Sequence, residues 1–291
     1  MNYPAYISPS IACCPLECLE EHVHRLEQLG IEMLHVDIMD GNFVANYCLG
    51  TEFIPLLHRI TKLPLDIHLM IQRPDQKLSF IPFESGDYVT IHAESTPHIQ
   101  KTLAEIRRRG AKAGLALNPA TPLDYCRWML PDIDLLLVMT INPGFAGQKL
   151  VPQTLDKIRC AKELLERAGS TVLIETDGNV SFINAEKMRR AGTNIFVAGT
   201  SSLYTMAIQY AIDGRLRRME DYIARSSFTR NVEQDMTNGI IAEAFEMDRE
   251  DLKRRRAQSV RNVKATNGLI SLEKYASSRQ EQDWDDDEWQ D

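Results

Sequence analysis

The sequence lacks the features that would place the chain in a membrane or in an oxidising compartment. Its 291 residues contain no apolar run long enough to cross a bilayer. The first ten residues have no basic stretch followed by an apolar core, so no signal peptide is predicted. The six cysteines include no Cys-x-x-Cys pair, so neither a zinc ribbon nor a redox motif is indicated. We therefore expect free thiols in a reducing compartment, the cytoplasm, and no membrane partner.

The sequence also has too little positive charge for a general nucleic-acid binder. Its formal net charge is −8, whereas contact with a phosphate backbone needs a basic face. We expect no nucleic-acid partner. A few backbone N–H groups can hold a phosphate even in an acidic protein, so this charge does not conflict with an anionic substrate.

Short apolar, β-branched runs alternate with longer amphipathic segments along most of the chain. Segments such as Pro15–Leu29 and Phe182–Ala191 are predicted helices, because proline tends to stand in the first turn and glycine after the last. Strands that alternate with helices form a parallel sheet, and eight such units close into a (β/α)8 TIM barrel. An open doubly wound sheet would need a Gly-x-Gly-x-x-Gly motif after an early strand, and none is present. The predicted strands are Tyr6–Ala12, Met33–Met39, Pro64–Ile71, Tyr88–Ala93, Lys112–Asn118, Leu135–Ile141, Thr171–Asp177 and Ile195–Gly199.

The alternating pattern stops near Arg225, which divides the chain into a predicted barrel, residues 1–225, and an extension, residues 226–291. Met236, Ile240 and Phe245 have helical spacing, so the extension should contain a helix. The last residues, from Asp283 onward, are strongly acidic, and we expect them to form a disordered tail.

Ionisable residues stand near the carboxyl ends of three predicted strands. They form the segments His35-Val36-Asp37, Asp66-Ile67-His68 and Glu175-Thr176-Asp177. The two ionisable residues of each segment are two positions apart, so they share a face, and that face should point into the barrel. A single such residue could be a satisfied polar group in a barrel layer, but three strands together favour an active site. Imidazoles and carboxylates together suit a divalent transition metal.

Three glycine-containing loops follow the last three predicted strands. They are Asn142–Gln148, Gly178-Asn179 and Gly199-Thr200-Ser201. The last loops of a barrel commonly bind phosphate through backbone N–H groups, and glycine allows close approach. Tight turns without a ligand are the alternative. Three adjacent loops beside a carboxylate pair favour phosphate binding.

Several short segments resemble those of the ribulose-phosphate 3-epimerase family, in the order in which that family has them. They are Ser8-Pro9-Ser10-Ile11, His35–Gly41, Asp66–Met70, Asn118-Pro119-Ala120-Thr121-Pro122, Val138-Met139-Thr140 and Asn142-Pro143-Gly144-Phe145. The resemblance implies a metal-dependent epimerase of the pentose phosphate pathway that interconverts D-ribulose 5-phosphate and D-xylulose 5-phosphate through an enediolate. We also expect a homo-oligomer.

The same resemblance implies the residues of the site. One divalent ion, Zn, Fe, Mn or Co, would be bound by His35, Asp37, His68 and Asp177, and the two aspartates would also act as acid and base. For the methionines of the site, ordinary core packing is the alternative. The implied substrate-binding residues are Ser10, Met39, His68, Met70, Met139, Gly144, Phe145, Ala146, Gly147, Gly178, Asn179, Gly199 and Thr200.

Three positions depart from the common pattern of the family and leave the sugar open. Ala146, Asn179 and Thr200 also resemble residues of the D-allulose-6-phosphate 3-epimerases, which is the alternative substrate class. A non-catalytic sugar-phosphate sensor is a further alternative, but a sensor needs no paired bases. A barrel decarboxylase typically has a lysine among its strand-end carboxylates, and no predicted strand here ends that way.

Overall fold

Strands and helices alternate throughout the described part of the chain. A computed structural model describes residues 5–204, 219–221 and 223–224. The strands are β1 (Tyr6–Pro9), β2 (Leu34–Asp40), β3 (Tyr47–Cys48), β4 (Leu65–Met70), β5 (Tyr88–His92), β6 (Lys112–Leu117), β7 (Leu135–Met139), β8 (Leu173–Asp177) and β9 (Ile195–Ala198). The helices are α1 (Leu19–Gln28), α2 (Phe53–Ile60), α3 (Pro74–Lys77), α4 (Ile99–Arg108), α5 (Asp124–Arg127), α6 (Gln153–Arg167) and α7 (Phe182–Ala191).

The strands form one curled sheet that closes on itself. Its order is β1-β9-β8-β7-β6-β5-β4-β2-β3, and every neighbouring pair is parallel except β2 and β3. A parallel bridge between Ser10 and His35 joins the β1 edge to β2. Eight parallel strands therefore make a barrel, with β3 paired outside the ring. The predicted TIM barrel is confirmed.

The interior of the barrel has an apolar floor below a polar layer. The floor consists of side chains at the amino-terminal ends of the strands: Tyr6, Met33, Tyr88, Leu135, Leu173 and Ile195. One step further along the strands, Ser8, Asp66 and Glu175 are fully buried. A polar layer of this kind is stable only where its groups find partners, as Ser8 does in donating to Asp66 Oδ2.

The main apolar core lies between the sheet and its surrounding helices. On β2, Val36 and Ile38 alternate with His35 and Asp37, so the two residue types face opposite sides of the sheet. Facing helices contribute buried side chains such as Leu26. Full burial of a leucine or isoleucine side chain stabilises the fold by about 1.5–3 kcal/mol. This outer core keeps the inward-facing residues in register.

The structure differs from the predicted pattern at three places. The first strand ends at Pro9 and not at Ala12, because the chain turns into a 3-10 helix at Ile11–Cys13. The short hairpin strand Tyr47–Cys48 was not predicted. The turn that leads to it begins at Gly41, which has a φ of +72° and whose N–H donates to the carbonyl oxygen of Asn46. The helices after β4 and β6 are single turns, at Pro74–Lys77 and Asp124–Arg127.

The predicted extension, residues 226–291, lies outside the described residues, as does the predicted boundary at Arg225. Beyond residue 204, Met219 and Ile223 belong to the buried apolar core. Among the described residues, no helix combines the length and the apolar character that a membrane crossing requires.

Candidate active site

The four predicted metal ligands meet at the carboxyl end of the barrel. His35 and Asp37 lie on β2, His68 on β4, and Asp177 is the last residue of β8. Each offers a donor atom, and these atoms all lie within 4.8 Å of one another. Both histidine side chains are fully buried, whereas that of Asp177 is 20% exposed. The cluster is therefore open on the side of Asp177.

Asp37 is at the centre of this cluster. Its Oδ1 lies 3.1 Å from both His35 Nε2 and His68 Nδ1. Its Oδ2 accepts a hydrogen bond of 2.9 Å from Ser10 Oγ. Asp177 Oδ2 completes the group, 3.7 Å from His68 Nδ1. Two imidazole nitrogens and two carboxylates directed at one point make a donor set that fits a divalent transition metal.

The two aspartates of the cluster differ in acidity. Burial alone would raise the pKa of Asp37, but His35 and His68 hold it well below its ordinary value. Burial and the nearby Asp37 carboxylate raise the pKa of Asp177 to about 6. Two carboxyl groups with separated pKa values are a common feature of acid/base sites.

His35 is held from below by the polar layer of the barrel. Its Nδ1 donates to Asp66 Oδ2 at 2.7 Å, and Ser8 Oγ donates to the same oxygen at 2.9 Å. Burial would lower the pKa of His35, but the carboxylates of Asp37 and Asp66 raise it well above its ordinary value. With Nδ1–H engaged by a carboxylate, Nε2 is the nitrogen that faces the site.

Glu175 is the unusual member of the polar layer. Its carboxyl group is fully buried, with Oε1 3.6 Å from His35 Nδ1 and the Asp66 carboxyl group beside it. Burial and the neighbouring Asp66 raise the pKa of Glu175 well above its ordinary value. The neutral acid is therefore the favoured form at this position.

The predicted methionines lie beside the cluster, Met39 and Met70 on the strands that carry its residues and Met139 on the neighbouring β7. Met39 and Met70 are register partners on β2 and β4, and Met139 is the register partner of Asp177. Met70 and Met139 are buried, and Met39 is half-buried. Met139 also packs inside the barrel against Leu137. Their position is compatible with both substrate contact and core packing.

The predicted phosphate-binding loops follow three neighbouring strands, β7, β8 and β9. Gly144, Gly147 and Gly178 have positive φ angles of 116°, 85° and 114°. A Cβ at Gly178 would lie 2.8 Å from the backbone nitrogen of Ile141, so only glycine fits there. Asn179 also has a positive φ, of 49°, which asparagine tolerates.

These loops are linked to one another and remain partly open. Asn179 Nδ2 lies 3.4 Å from Ser201 Oγ, and Asn46 Nδ2 donates to Gly144 O at 2.7 Å. Gly178 is buried and Gly199 half-buried. Other loop residues are exposed: Phe145, Ala146, Gly147 and Thr200. The structure thus places each predicted loop residue at the edge of the barrel that carries the ligand cluster.

Two site residues were missed in the sequence. His92 is the last residue of β5, and its Nε2 lies 2.8 Å from His68 Nε2. Glu94 follows two positions later, with Oε2 3.3 Å from His92 Nδ1. The same signal was available for them, since ionisable residues two positions apart mark the end of a strand in three other places. Burial lowers the pKa of His92 to about 4.

Comparison with known proteins supports one family. The model of the ribulose-phosphate 3 epimerase family matches residues 6–203. The chain is 38% identical over 203 residues to a ribulose-phosphate 3-epimerase of Synechocystis sp., covering 69% of this chain and 88% of that protein. It is 39% identical over 210 residues to the chloroplastic ribulose-5-phosphate-3-epimerase of Arabidopsis thaliana, covering 72% and 75%.

Solved structures support the fold alone. A 3-keto-L-gulonate-6-phosphate decarboxylase from Vibrio cholerae has a TM-score of 0.56 at 12% identity, covering 77% of this chain and 99% of that one. A mutant tryptophan synthase alpha-subunit from Pyrococcus furiosus has a TM-score of 0.53 at 12% identity, covering 77% and 100%.

Proposed function

The chain belongs to the ribulose-phosphate 3-epimerase family, and from this we propose that it interconverts D-ribulose 5-phosphate and D-xylulose 5-phosphate. The observation that carries the proposal is the position of Asp37 and Asp177. Both carboxylates reach one cluster of donor atoms, from strands that are not neighbours in the barrel. Epimerisation next to a ketone needs one group that removes a proton and another that returns a proton to the opposite face.

The cluster would hold one divalent metal ion through His35, Asp37, His68 and Asp177. When bound, the ion would supply positive charge that stabilises the negative charge developing on the substrate oxygens. Asp66 supports this arrangement because it engages Nδ1–H of His35 and leaves Nε2 directed at the cluster. Zn, Fe, Mn and Co are all compatible with a mixed nitrogen and oxygen donor set.

Asp37 and Asp177 would exchange protons with the carbon next to the ketone. Before an ion is bound, His35 and His68 lower the pKa of Asp37, whereas burial and the Asp37 carboxylate raise the pKa of Asp177 to about 6, so the two carboxyl groups differ in acidity. One carboxylate and one carboxylic acid are the two species that inversion requires at the start of a turnover. Ser10, whose hydroxyl donates to Asp37 Oδ2, would fix the orientation of that carboxylate.

The substrate phosphate would lie against the three loops that follow β7, β8 and β9. Positive φ angles at Gly144, Gly147 and Gly178 support this proposal, because such conformations can direct successive N–H groups toward one anion. The hydrogen bond from Asn46 to Gly144 would hold the first loop near the cluster. Met39, Met70 and Met139 would form an apolar wall beside the sugar.

A coupled assay with metal analysis of the same sample tests this function. Ribulose 5-phosphate and allulose 6-phosphate are supplied in parallel, and we expect higher kcat/KM for ribulose 5-phosphate. The double variant His35→Ala/His68→Ala should lose stoichiometric metal and activity together. His24→Ala, on the exterior helix α1, serves as the matched control. Full metal retention in the double variant, or preference for the six-carbon sugar, would contradict the proposal.

A further inference from the structure

His68 uses both of its ring nitrogens. Nδ1 faces the ligand cluster, 3.1 Å from Asp37 Oδ1, and Nε2 lies 2.8 Å from His92 Nε2. Two imidazole nitrogens at that distance share one hydrogen, so one ring donates and the other accepts. A nitrogen that binds a metal carries no hydrogen. When His68 binds through Nδ1, it must therefore carry its hydrogen on Nε2 and donate to His92.

The hydrogen on His92 is then fixed as well. Because its Nε2 accepts from His68, its own hydrogen must be on Nδ1, which lies 3.3 Å from Glu94 Oε2. The two atoms are at ion-pair distance without the alignment of a hydrogen bond, and Nδ1 has no hydrogen-bond partner among the described residues. The ring is fully buried, and the Phe43 ring packs against it at a centroid distance of 4.6 Å. An ionised carboxylate accepts only, so Glu94 selects the Nδ1–H form.

Glu94 is itself fixed by the loop that follows β6. Its other oxygen, Oε1, accepts from the backbone N–H of Asn118 at 2.9 Å and from the hydroxyl of Thr121. These two donors settle which oxygen faces His92. The segment Asn118–Pro122 has no role in the chemistry proposed above, and these contacts give it one.

We propose that His92 and Glu94 are positioning residues which hold His68 in the tautomer that can bind a metal through Nδ1. The proposal rests on the metal site of the proposed function. The hydrogens are ordered so that His68 Nε2–H donates to His92 Nε2, and His92 Nδ1–H faces the Glu94 carboxylate. The opposite order would place a hydrogen on His68 Nδ1, toward the ion.

The substitution Glu94→Gln replaces an acceptor that faces His92 Nδ1 with a donor, and it changes the shape of the side chain little. The amide oxygen would keep the place of Oε1, because Asn118 N–H and Thr121 O–H both need an acceptor there. The amide NH2 would then face His92 Nδ1, and a donor would oppose a donor. We expect zinc affinity to fall about 10–100-fold, the usual effect of losing a group that supports a ligand histidine.

A double-mutant cycle separates positioning from general destabilisation. In His92→Gln, the side-chain oxygen can accept from His68 Nε2–H without any help from Glu94. Adding Glu94→Gln to that variant should therefore cost less than about threefold in zinc affinity. Equal losses from Glu94→Gln in both backgrounds would mean that Glu94 acts only on the loop, and would overturn the proposal. Glu105→Gln, a half-buried carboxylate on α4 that pairs with Arg108, is the control for the loss of a charge.

The experiment measures zinc affinity of the full chain by chelator competition, and the tautomer of His92 by ¹⁵N NMR of the zinc-loaded protein. We expect the Nδ1–H tautomer of His92 in the wild type. The Nε2–H tautomer would overturn the proposed order of hydrogens. A wild type that binds zinc, with an unaffected Glu94→Gln variant, overturns this proposal and leaves the proposed function standing. Zinc binding and the proposed order of hydrogens, without epimerase activity, would count against the proposed function alone.

Discussion

At the residue scale, Asp177 differs from the other three members of the ligand cluster in its access to solvent. It is the last residue of β8 and the partly exposed member of the group, whereas both histidines are fully buried. A substrate that enters from the mouth of the barrel would meet Asp177 first. Its exposure and its raised pKa both fit a group that gives up and takes back a proton.

The substitution Asp177→Asn should abolish turnover and leave the fold largely intact. The two side chains are nearly the same size, but the amide can neither accept nor return the proton. We expect kcat to fall at least about 10²-fold, with a circular dichroism spectrum like that of the wild type. Turnover of the wild type in D2O provides a second measurement, the deuterium content of the product, because solvent deuterium should enter at the inverted carbon.

Asp124→Asn, an exposed change on α5, is the control for that experiment. It should leave kcat unchanged. Turnover of Asp177→Asn at the wild-type rate would rule out the two-base mechanism. Turnover of the wild type without deuterium uptake would count against proton exchange with solvent.

Glu94 should make the stability of the protein depend on pH in the acidic range. Burial would raise its pKa, but His92, Thr121 and the Asn118 N–H lower it to about 2, from 4.5 in an unfolded chain. A lowered pKa stabilises the fold fully above the unfolded value, and this contribution is lost as pH falls toward the folded value. We expect wild type to exceed Glu94→Gln by about 2 kcal/mol at pH 6, and by progressively less between pH 4.5 and pH 2.

Urea unfolding at several pH values measures this difference. Thr121→Val removes one donor to Glu94 and should narrow the pH range over which the difference declines. A difference that stays constant from pH 6 to pH 3 would show that the Glu94 carboxylate does not titrate as described.

The sequence predicted the four candidate ligands and Asp66, which orients His35, but not His92 and Glu94 beside His68. Two-residue spacing at strand ends predicted that six ionisable side chains point inward, and the family resemblance selected His35, Asp37, His68 and Asp177 from them as the expected ligands. The bond between His68 and His92 depends on ring orientations on two different strands. Spacing along the chain contains no information about those angles.

At the element scale, the turn after β8 is the most restricted of the three glycine loops. Gly178 combines a φ of +114° with a close approach to the backbone of Ile141. The hydroxyl of Thr140 donates to the carbonyl oxygens of Asp177 and Gly178. The turn therefore holds Asp177 and the β7 loop in one arrangement.

Gly178→Ala should destabilise the protein by roughly 1–3 kcal/mol, since a Cβ would add strain and meet a backbone atom that cannot move freely. Gly147→Ala is the matched control, because Gly147 has a positive φ of 85° but nothing within 4 Å of the added atom. It should cost only the backbone strain, about 1 kcal/mol. Thermal unfolding of both variants measures the difference. Equal midpoints would show that the close approach to Ile141 has no energetic weight.

The strands were easier to predict than the helices between them. Each strand is a buried apolar run whose alternation is visible in the sequence, and all eight barrel strands were found. The single-turn helices Pro74–Lys77 and Asp124–Arg127 have too few residues for a helical period to be recognised. The first of them is held by a side-chain contact, in which Thr96 Oγ1 donates to Asp75 at 2.7 Å.

At the scale of the whole molecule, every residue that we assign to the site lies within residues 5–204. Every catalytic candidate lies before Thr205, and the barrel strands end at Ala198. We propose that residues 1–225 form the catalytic domain and that residues 226–291 form a separate extension. A chain that ends at Arg230 should keep kcat/KM within about tenfold, that is within ~1.4 kcal/mol of transition-state stabilisation.

Steady-state kinetics and native mass spectrometry of the shortened and full-length chains test that prediction together. We propose a homo-oligomeric enzyme of the cytoplasm, so the mass measurement also shows whether the extension affects assembly. A folded, soluble but inactive shortened chain would contradict the prediction and would assign the extension a part in the active site.

The closure of the barrel has a mechanical consequence. The ring is joined between β1 and β2 by one bridge, from Ser10 to His35, and these two residues both contact Asp37. The seam of the cylinder therefore passes through the reaction centre. An ion or substrate bound there would link the two sides of the seam. Occupancy of the active site and the force needed to separate β1 from β2 would therefore rise together.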